Sequence, residues 1–319
     1  MIACMGTDHA AGRRLTGHGL YTDIRGDAAA PALLFLHGGP GQGCYDFMAL
    51  QGDLLGKSVL LIGLDQRGVD RSAPLPPGAT LTVADLVADC EEVRQELGIG
   101  RWAVLGQSSG GGLALRYAAA HPGPTSAAVF ENPVWDMASS ARAALAPLAA
   151  MLAAQGKDAE AQAARAAAAA TAGPGERPEV ALRAAYLAAL SALGPDGERF
   201  FVPGQATRDR LARLRRAHQA RERSGDEAGD EGSTQHHLAI TGDRAFGESM
   251  LGLLPQLTAP ALLITGGQDP LTAPEQRAAF RSASPRRQFL EFPRAGHFVH
   301  AEEPVQYAHS VMNFVRLCT

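Results

Sequence analysis

Residues 101–112 read Arg-Trp-Ala-Val-Leu-Gly-Gln-Ser-Ser-Gly-Gly-Gly, and the fold turns on this stretch. Arg101–Gly106 is a short apolar run, the pattern of a strand buried on both faces. Gly110–His121 carries helical spacing and stops before Pro122. Between them lies Gly106-Gln107-Ser108-Ser109-Gly110, a Gly-x-Ser-x-Gly pentapeptide. In a chain with 36 glycines the pentapeptide alone is weak evidence. Its placement directly between a strand and a helix is not, because the tightest strand-to-helix turns need this pattern. Such a turn strains the serine backbone, and a Cβ on either flanking residue would strike neighbouring main chain. The serine hydroxyl is then held at the carboxyl edge of the sheet, where open α/β folds bind ligands.

Outward from this point the same rhythm continues. Pro31–His37, Ser58–Asp65 and Thr125–Phe130 are further buried-strand patterns, and Thr82–Leu97 has apolar residues at helical spacing with Thr82 as the expected N-cap. After Asn132–Pro133 the texture changes. Alanine-rich stretches, an arginine-rich helix over 208–223 and an acidic loop over 224–233 follow, without a convincing strand. The alternation resumes with strands at Ala259–Gly266 and Arg287–Phe292 and helices at Ala273–Ser284 and Val305–Leu317. Strands alternating with helices predict an α/β fold, a mostly parallel sheet covered by helices on both faces. The expected division is a core of residues 1–133 and 247–319 with a helical insertion over 134–246.

Composition narrows the class of function. The chain has 319 residues, a formal net charge of −4 and 46% hydrophobic residues, so it can bury a sizeable core and has no basic footprint for nucleic acid or anionic lipid. A small molecule or a peptide is the expected partner. Cys4, Cys44, Cys90 and Cys318 are scattered, without metal-ligand spacing, and are expected to be free thiols in a reducing compartment. The first fifteen residues lack a continuous apolar segment, and no stretch reads as the ~20 apolar residues that cross a bilayer. The expectation is a cytoplasmic protein with neither a metal nor an organic cofactor.

Serine is a poor nucleophile and needs a base, which in turn needs a group to fix its tautomer. His297 follows the last expected strand, and Asp269, in Gly266-Gly267-Gln268-Asp269-Pro270, follows the one before it. The order Ser108, Asp269, His297 is the one expected when the serine occupies such a turn. Glu131, at the end of the strand Thr125–Phe130, is a rival acid, and otherwise a carboxylate near substrate. His300 is expected to pack beside the site. The oxyanion hole is assigned to the N–H groups of Gly39 and Ser109, and Gly38 is placed with the substrate-binding residues. Pro40 has no N–H to offer.

Two motifs give the chain a family resemblance: His37-Gly38-Gly39-Pro40-Gly41, and Asp65-Gln66-Arg67-Gly68 followed by Arg71-Ser72. With the tail His297-Phe298-Val299-His300 and Glu303-Pro304, the chain resembles the proline iminopeptidase-like family of the α/β-hydrolases over residues 18–133 and 250–319. The resemblance implies an α/β-hydrolase fold with a helical cap, a serine acyl-enzyme and an N-terminal aminopeptidase. It also implies that Asp65 and Arg67 tie loops together near the site. The chain departs from the family in two places. Ser109 stands where a tryptophan usually follows the nucleophile, and the tryptophan-rich cap segment that ends in a glutamate is missing, since Trp135 is the sole tryptophan between 134 and 246. Glu131, Glu198 and Glu222 remain as expected partners for a substrate ammonium. An esterase, endopeptidase or cyclising hydrolase tailoring a peptide or polyketide is the alternative. An aspartate-nucleophile epoxide or haloalkane hydrolase is set aside by Ser108, and a non-catalytic binding protein by the complete set of parts.

Overall fold

A computed structural model describes residues 12–318 apart from 18, 77, 172–176, 223–227 and 284–286. The chain runs β1 (Gly12–Leu15), β2 (Tyr21–Arg25), β3 (Ala32–Leu36), α1 (Tyr45–Leu55), β4 (Leu60–Leu64), α2 (Val83–Glu96), β5 (Trp102–Gln107), α3 (Ser109–Ala120) and β6 (Thr125–Glu131). Then come α4 (Met137–Ala154), α5 (Asp158–Ala169), α6 (Pro178–Ala192), α7 (Gly197–Phe201), α8 (Gln205–Glu222), α9 (Ala228–Gly242) and α10 (Arg244–Gly247). The last third holds β7 (Ala261–Gly266), α11 (Pro274–Ala283), β8 (Arg287–Phe292), α12 (Val299–Glu302) and α13 (Pro304–Cys318).

The strands form one eight-stranded sheet in the order β1-β2-β4-β3-β5-β6-β7-β8. β3 through β8 pair in parallel, while β1 and β2 add an antiparallel edge. The central strands are continuous apolar runs because both faces are covered. Leu34, Leu36, Val104, Phe130 and Leu263 face one cluster that includes α2 and α3 side chains such as Leu86, Val93 and Leu115. Their neighbours Leu33, Phe35, Leu105, Val129 and Ile264 face the other, filled by Phe47 and Met48 of α1 and Val311 and Phe314 of α13. Each such side chain contributes roughly 1.5–3 kcal/mol on burial.

Register positions the site. Gln107 lies opposite Glu131, and Glu131 opposite Ile264. The turns after β5, β6, β7 and β8 therefore emerge side by side at one sheet edge. Local signals agree with this order. Thr82 caps α2 through a reciprocal box in which its hydroxyl accepts from the Asp85 N–H (3.2 Å) and the Asp85 carboxylate accepts from the Thr82 N–H (2.8 Å).

Three features differ from expectation. The edge strands β1 and β2 and the helix α1 carry no clean period in sequence: β2 mixes Asp23 and Arg25 into five residues, and α1 has Gly52 inside it. The acidic segment expected to be a loop is helical from Ala228, while 224–227 lie outside the described residues. Docking overrides weak propensity there, since His236 is fully buried with its Nδ1 2.7 Å from the Arg67 carbonyl. Finally, α4 has 18 residues and a mean hydropathy of 1.3, so by length and composition it could cross a membrane, contrary to the expectation that no stretch would. Its Ala141, Ala144, Leu145, Leu148 and Leu152 are instead packed in a cluster with Ala161 and Ala164 of α5 and Leu182 and Tyr186 of α6.

Candidate active site

β5 ends in a turn whose backbone is forced. Ser108 sits at φ +55°, ψ −123°, a region that non-glycine residues rarely occupy. The flanking glycines permit it. A Cβ on Gly106 would lie 2.2 Å from the Gly110 carbonyl oxygen, and one on Gly110 would lie 2.2 Å from the Leu36 carbonyl oxygen. The turn is pinned on both sides, because the Ser108 N–H donates to the Glu131 carbonyl (3.0 Å) and its carbonyl accepts from Val134 N–H (3.0 Å).

The turns after β7 and β8 bring Asp269 to His297, with His297 Nδ1 2.7 Å from Asp269 Oδ1. Both side chains are almost fully buried. Asp269 Oδ2 accepts the Thr272 N–H at 2.8 Å and Oδ1 the Leu271 N–H at 3.2 Å. Burial alone would raise this carboxyl, but the adjacent His297 and the hydrogen bonds from His297 and Thr272 outweigh it and hold the group below the usual carboxylate range. The ionised form is thus the one that fixes the His297 tautomer with its proton on Nδ1.

Asn132 is a residue that sequence reasoning missed. At φ +41° its side chain donates to the carbonyls of Gly296 (3.0 Å) and His297 (2.9 Å) and accepts from the Gly266 N–H (2.9 Å). One buried amide thus ties the ends of β6, β7 and β8 together. The only sequence signal was its position one residue beyond a buried strand. Phe201, the last residue of α7, stacks obliquely on His297 with ring centroids 5.6 Å apart and accepts the His297 N–H at 2.7 Å. A segment between β6 and β7 thereby reaches the imidazole directly.

The carboxylates expected near substrate are placed elsewhere. Glu131 is fully buried and accepts from the backbone N–H (2.9 Å) and lies against Nδ1 (2.9 Å) of His300. It is neither partner of His297 nor open to a ligand, because its strand position points the side chain into the layer under the site. His300 has the packing role expected of it. Glu198 bonds Arg215 at 3.1 Å, and Arg215 also holds Asp46 at 2.7 Å, so the α7 carboxylate is spent on the arginine that ties α8 to α1. Glu222 closes α8, and its side chain lies outside the described residues.

The loop after β3 lies over the serine. A Cβ on Gly38 would come within 2.8 Å of the Ser108 Cβ, and Gly39 has φ +118°. The Gly39 and Ser109 N–H groups donate to no protein acceptor among the described residues. His37 anchors this loop, its Nε2 accepting the Gln66 N–H (3.1 Å) while the Gln66 side chain donates to the His37 carbonyl (3.1 Å). The second motif is a strut. Buried Asp65 takes Arg71 at 2.7 Å and the Cys44 N–H at 2.6 Å, and Arg67 pairs with Asp89 of α2. Around Ser108 opens a cleft of about 80 Å³, lined by Gly39, Pro40 and Ser109 from below and Met137, Arg183, Tyr186 and His237 from above. A second lobe, of about 40 Å³, shares Ser109, Met137 and Phe246 and is lined by Leu86, Leu113, Ile240 and Met250.

Comparison with known proteins agrees with the fold. The model of the alpha/beta hydrolase fold family matches residues 31–304. A proline iminopeptidase of Xylella fastidiosa is 44% identical over 115 residues, 36% of each chain, and one of Neisseria gonorrhoeae is 41% identical over 105 residues, 33% of each. The chain thus spans about a third of the length of the curated relatives it matches. Among solved structures, a proline iminopeptidase of Mycobacterium smegmatis superposes with a TM-score of 0.69 at 24% identity, covering 96% of this chain and 98% of that one. A proline iminopeptidase-related protein of Thermus thermophilus gives 0.68 at 23% identity, covering 96% and 97%.

Proposed function

This chain belongs to the alpha/beta hydrolase fold family, and from that premise we propose that it is a serine hydrolase cleaving an amide or ester bond through a Ser108 acyl-enzyme. The observation that carries the reading is the strained Ser108 turn set at the same sheet edge as the buried His297–Asp269 pair. In this scheme Ser108 Oγ attacks the substrate carbonyl carbon as its proton passes to His297 Nε2. The oxyanion is received by the N–H groups of Gly39 and Ser109, the latter also at the positive end of α3. His297 then returns the proton to the departing amine or alkoxide, and water repeats the sequence to free the acid. Helices α4 to α10 act as the cap that closes the cleft. The three described cysteines, Cys44, Cys90 and Cys318, are free thiols, which fits a cytoplasmic setting.

Two specificities compete for this machinery. The relatives named proline iminopeptidase support an N-terminal aminopeptidase of that type. A specific observation favours the second reading, an esterase, endopeptidase or cyclising hydrolase that tailors a peptide or polyketide. The described residues lining the cleft at Ser108 include the cation Arg183 and no carboxylate, whereas a partly desolvated α-ammonium needs an anionic partner. A panel of Pro- and Ala-arylamides, their N-acetyl forms and p-nitrophenyl esters separates them. For an aminopeptidase, acetylation lowers kcat/KM by at least ~100-fold, about 2.7 kcal/mol. Equal rates for blocked and free substrates assign the tailoring role instead.

A further inference from the structure

Among the described residues, Arg183 is the charged side chain lining the cleft at Ser108 itself that the scheme above leaves without work. It projects from α6 and is half-buried, at the point where the cleft passes into an outer groove rimmed by Arg177, Asp243 and Arg244. Its polar contact is weak, 3.5 Å from Nη1 to the Thr241 carbonyl, and the Phe246 ring centroid lies 5.8 Å from its guanidinium carbon. Neither contact neutralises the charge. The acids of the groove are engaged elsewhere: Glu179 holds Arg177 at 2.7 Å, and Asp243 accepts the N–H groups of Val83 (2.8 Å) and Ala245 (3.1 Å). Arg183 makes no ion pair among the described residues, and desolvation disfavours its charged form.

Tyr186 stands three residues further along α6, on the same helix face, and lines the same cleft. Its ring is nine-tenths buried, and its hydroxyl has no hydrogen-bond partner among the described residues. A half-buried guanidinium without a counter-ion beside an unpartnered phenol forms a donor set waiting for an acceptor. A planar carboxylate matches the guanidinium fork and leaves a lone pair for the phenol.

We propose that Arg183 and Tyr186 hold a free carboxylate on the part of the substrate that extends from Ser108 toward α6. The substrate class is then a carboxylate-bearing amide or ester, such as a short peptide presenting its α-carboxylate or an N-acyl amino acid. The inference rests on Ser108 being the nucleophile, because it concerns what that serine's cleft admits. It also accounts for the second lobe, whose largely apolar walls, interrupted by Gln66 and Arg116, suit the other end of the same molecule.

The test uses two alkyl fluorophosphonates of equal length, one ending in a carboxylate and the other in its methyl ester. Ser108 Oγ attacks phosphorus, fluoride leaves, and the adduct is followed by intact mass. The wild-type protein is expected to react with the carboxylate probe at least ~10-fold faster, the range of a charge-assisted hydrogen-bond pair. In Arg183→Gln that ratio falls to about one, Arg183→Lys retains part of it, and Tyr186→Phe lowers it by about threefold. Thermal melts confirm that the variants are folded. A wild-type ratio of one or less, or an unchanged ratio in folded Arg183→Gln, overturns the inference while leaving the Ser108 reading intact. Failure of both probes to label Ser108 removes the nucleophile assignment and the inference with it.

Discussion

Ser108→Ala is expected to lower kcat for any turned-over arylamide or ester by ~10³- to 10⁶-fold, with the melting temperature little changed. Triad members act as a unit, so removing the nucleophile removes nearly the whole benefit of the other two, and the residue of activity reflects binding and the oxyanion donors. The fold should tolerate the change for a physical reason. Alanine has the same Cβ as serine, so no new contact arises in a turn already held by Glu131, Gly111 and Val134 backbone bonds. The φ +55° strain is present in both proteins and cancels in the comparison. Steady-state kinetics and a thermal melt together check this: near-normal turnover by the variant would sink the assignment.

Asp269→Asn is expected to lower kcat by ~10⁴-fold, as in a comparable triad. An amide nitrogen facing His297 Nδ1 favours the imidazole tautomer with its proton on the wrong nitrogen, and the imidazolium that forms in the reaction loses its counter-charge. The native carboxylate is held ionised by His297 and Thr272, so the wild-type contribution is fully present at neutral pH and is lost only as the carboxyl protonates in acid. Glu131→Gln provides the contrast. Its partner is His300 rather than His297, so its effect should fall mainly on stability, with kcat changed by no more than about tenfold. If Glu131→Gln proves the more damaging to kcat, the acid has been misassigned.

Much of this was legible in the chain because its signals are local and physically obligatory. Continuous apolar runs are best satisfied inside a covered sheet, and β3, β4, β5, β6 and β7 fall within a few residues of the runs that mark them, while β8 at the sheet edge is only half-buried. The glycines around Ser108 announce a close backbone approach that no other residue permits. What was hidden depends on tertiary placement. β1 and β2 gain their stability from pairing at an edge, and α9 from His236 docked on the Arg67 carbonyl, neither of which leaves a period in sequence.

The site divides in the same way. Ser108 after β5, Asp269 after β7 and His297 after β8 could be singled out because each stands just beyond a readable strand, and the structure brings the last two within 2.7 Å of each other. Glu131 illustrates the limit. Its position at the end of β6 is correct, yet whether a carboxylate there faces the cleft or the layer beneath depends on which neighbour, His300 or a ligand, satisfies it. Asn132 joins three turns through one amide, but an asparagine after a strand is an ordinary turn residue until the partners Gly266, Gly296 and His297 are seen around it.

Mass spectrometry of the protein after reaction with a neutral alkyl fluorophosphonate tests the central claim most directly. The account predicts a single adduct per chain, located by peptide mapping on Ser108, with labelling slowed by at least ~10³-fold in His297→Ala because the hydroxyl then lacks its base. An adduct on Ser109 instead, or labelling of Ser108 at the same rate with and without His297, would contradict it.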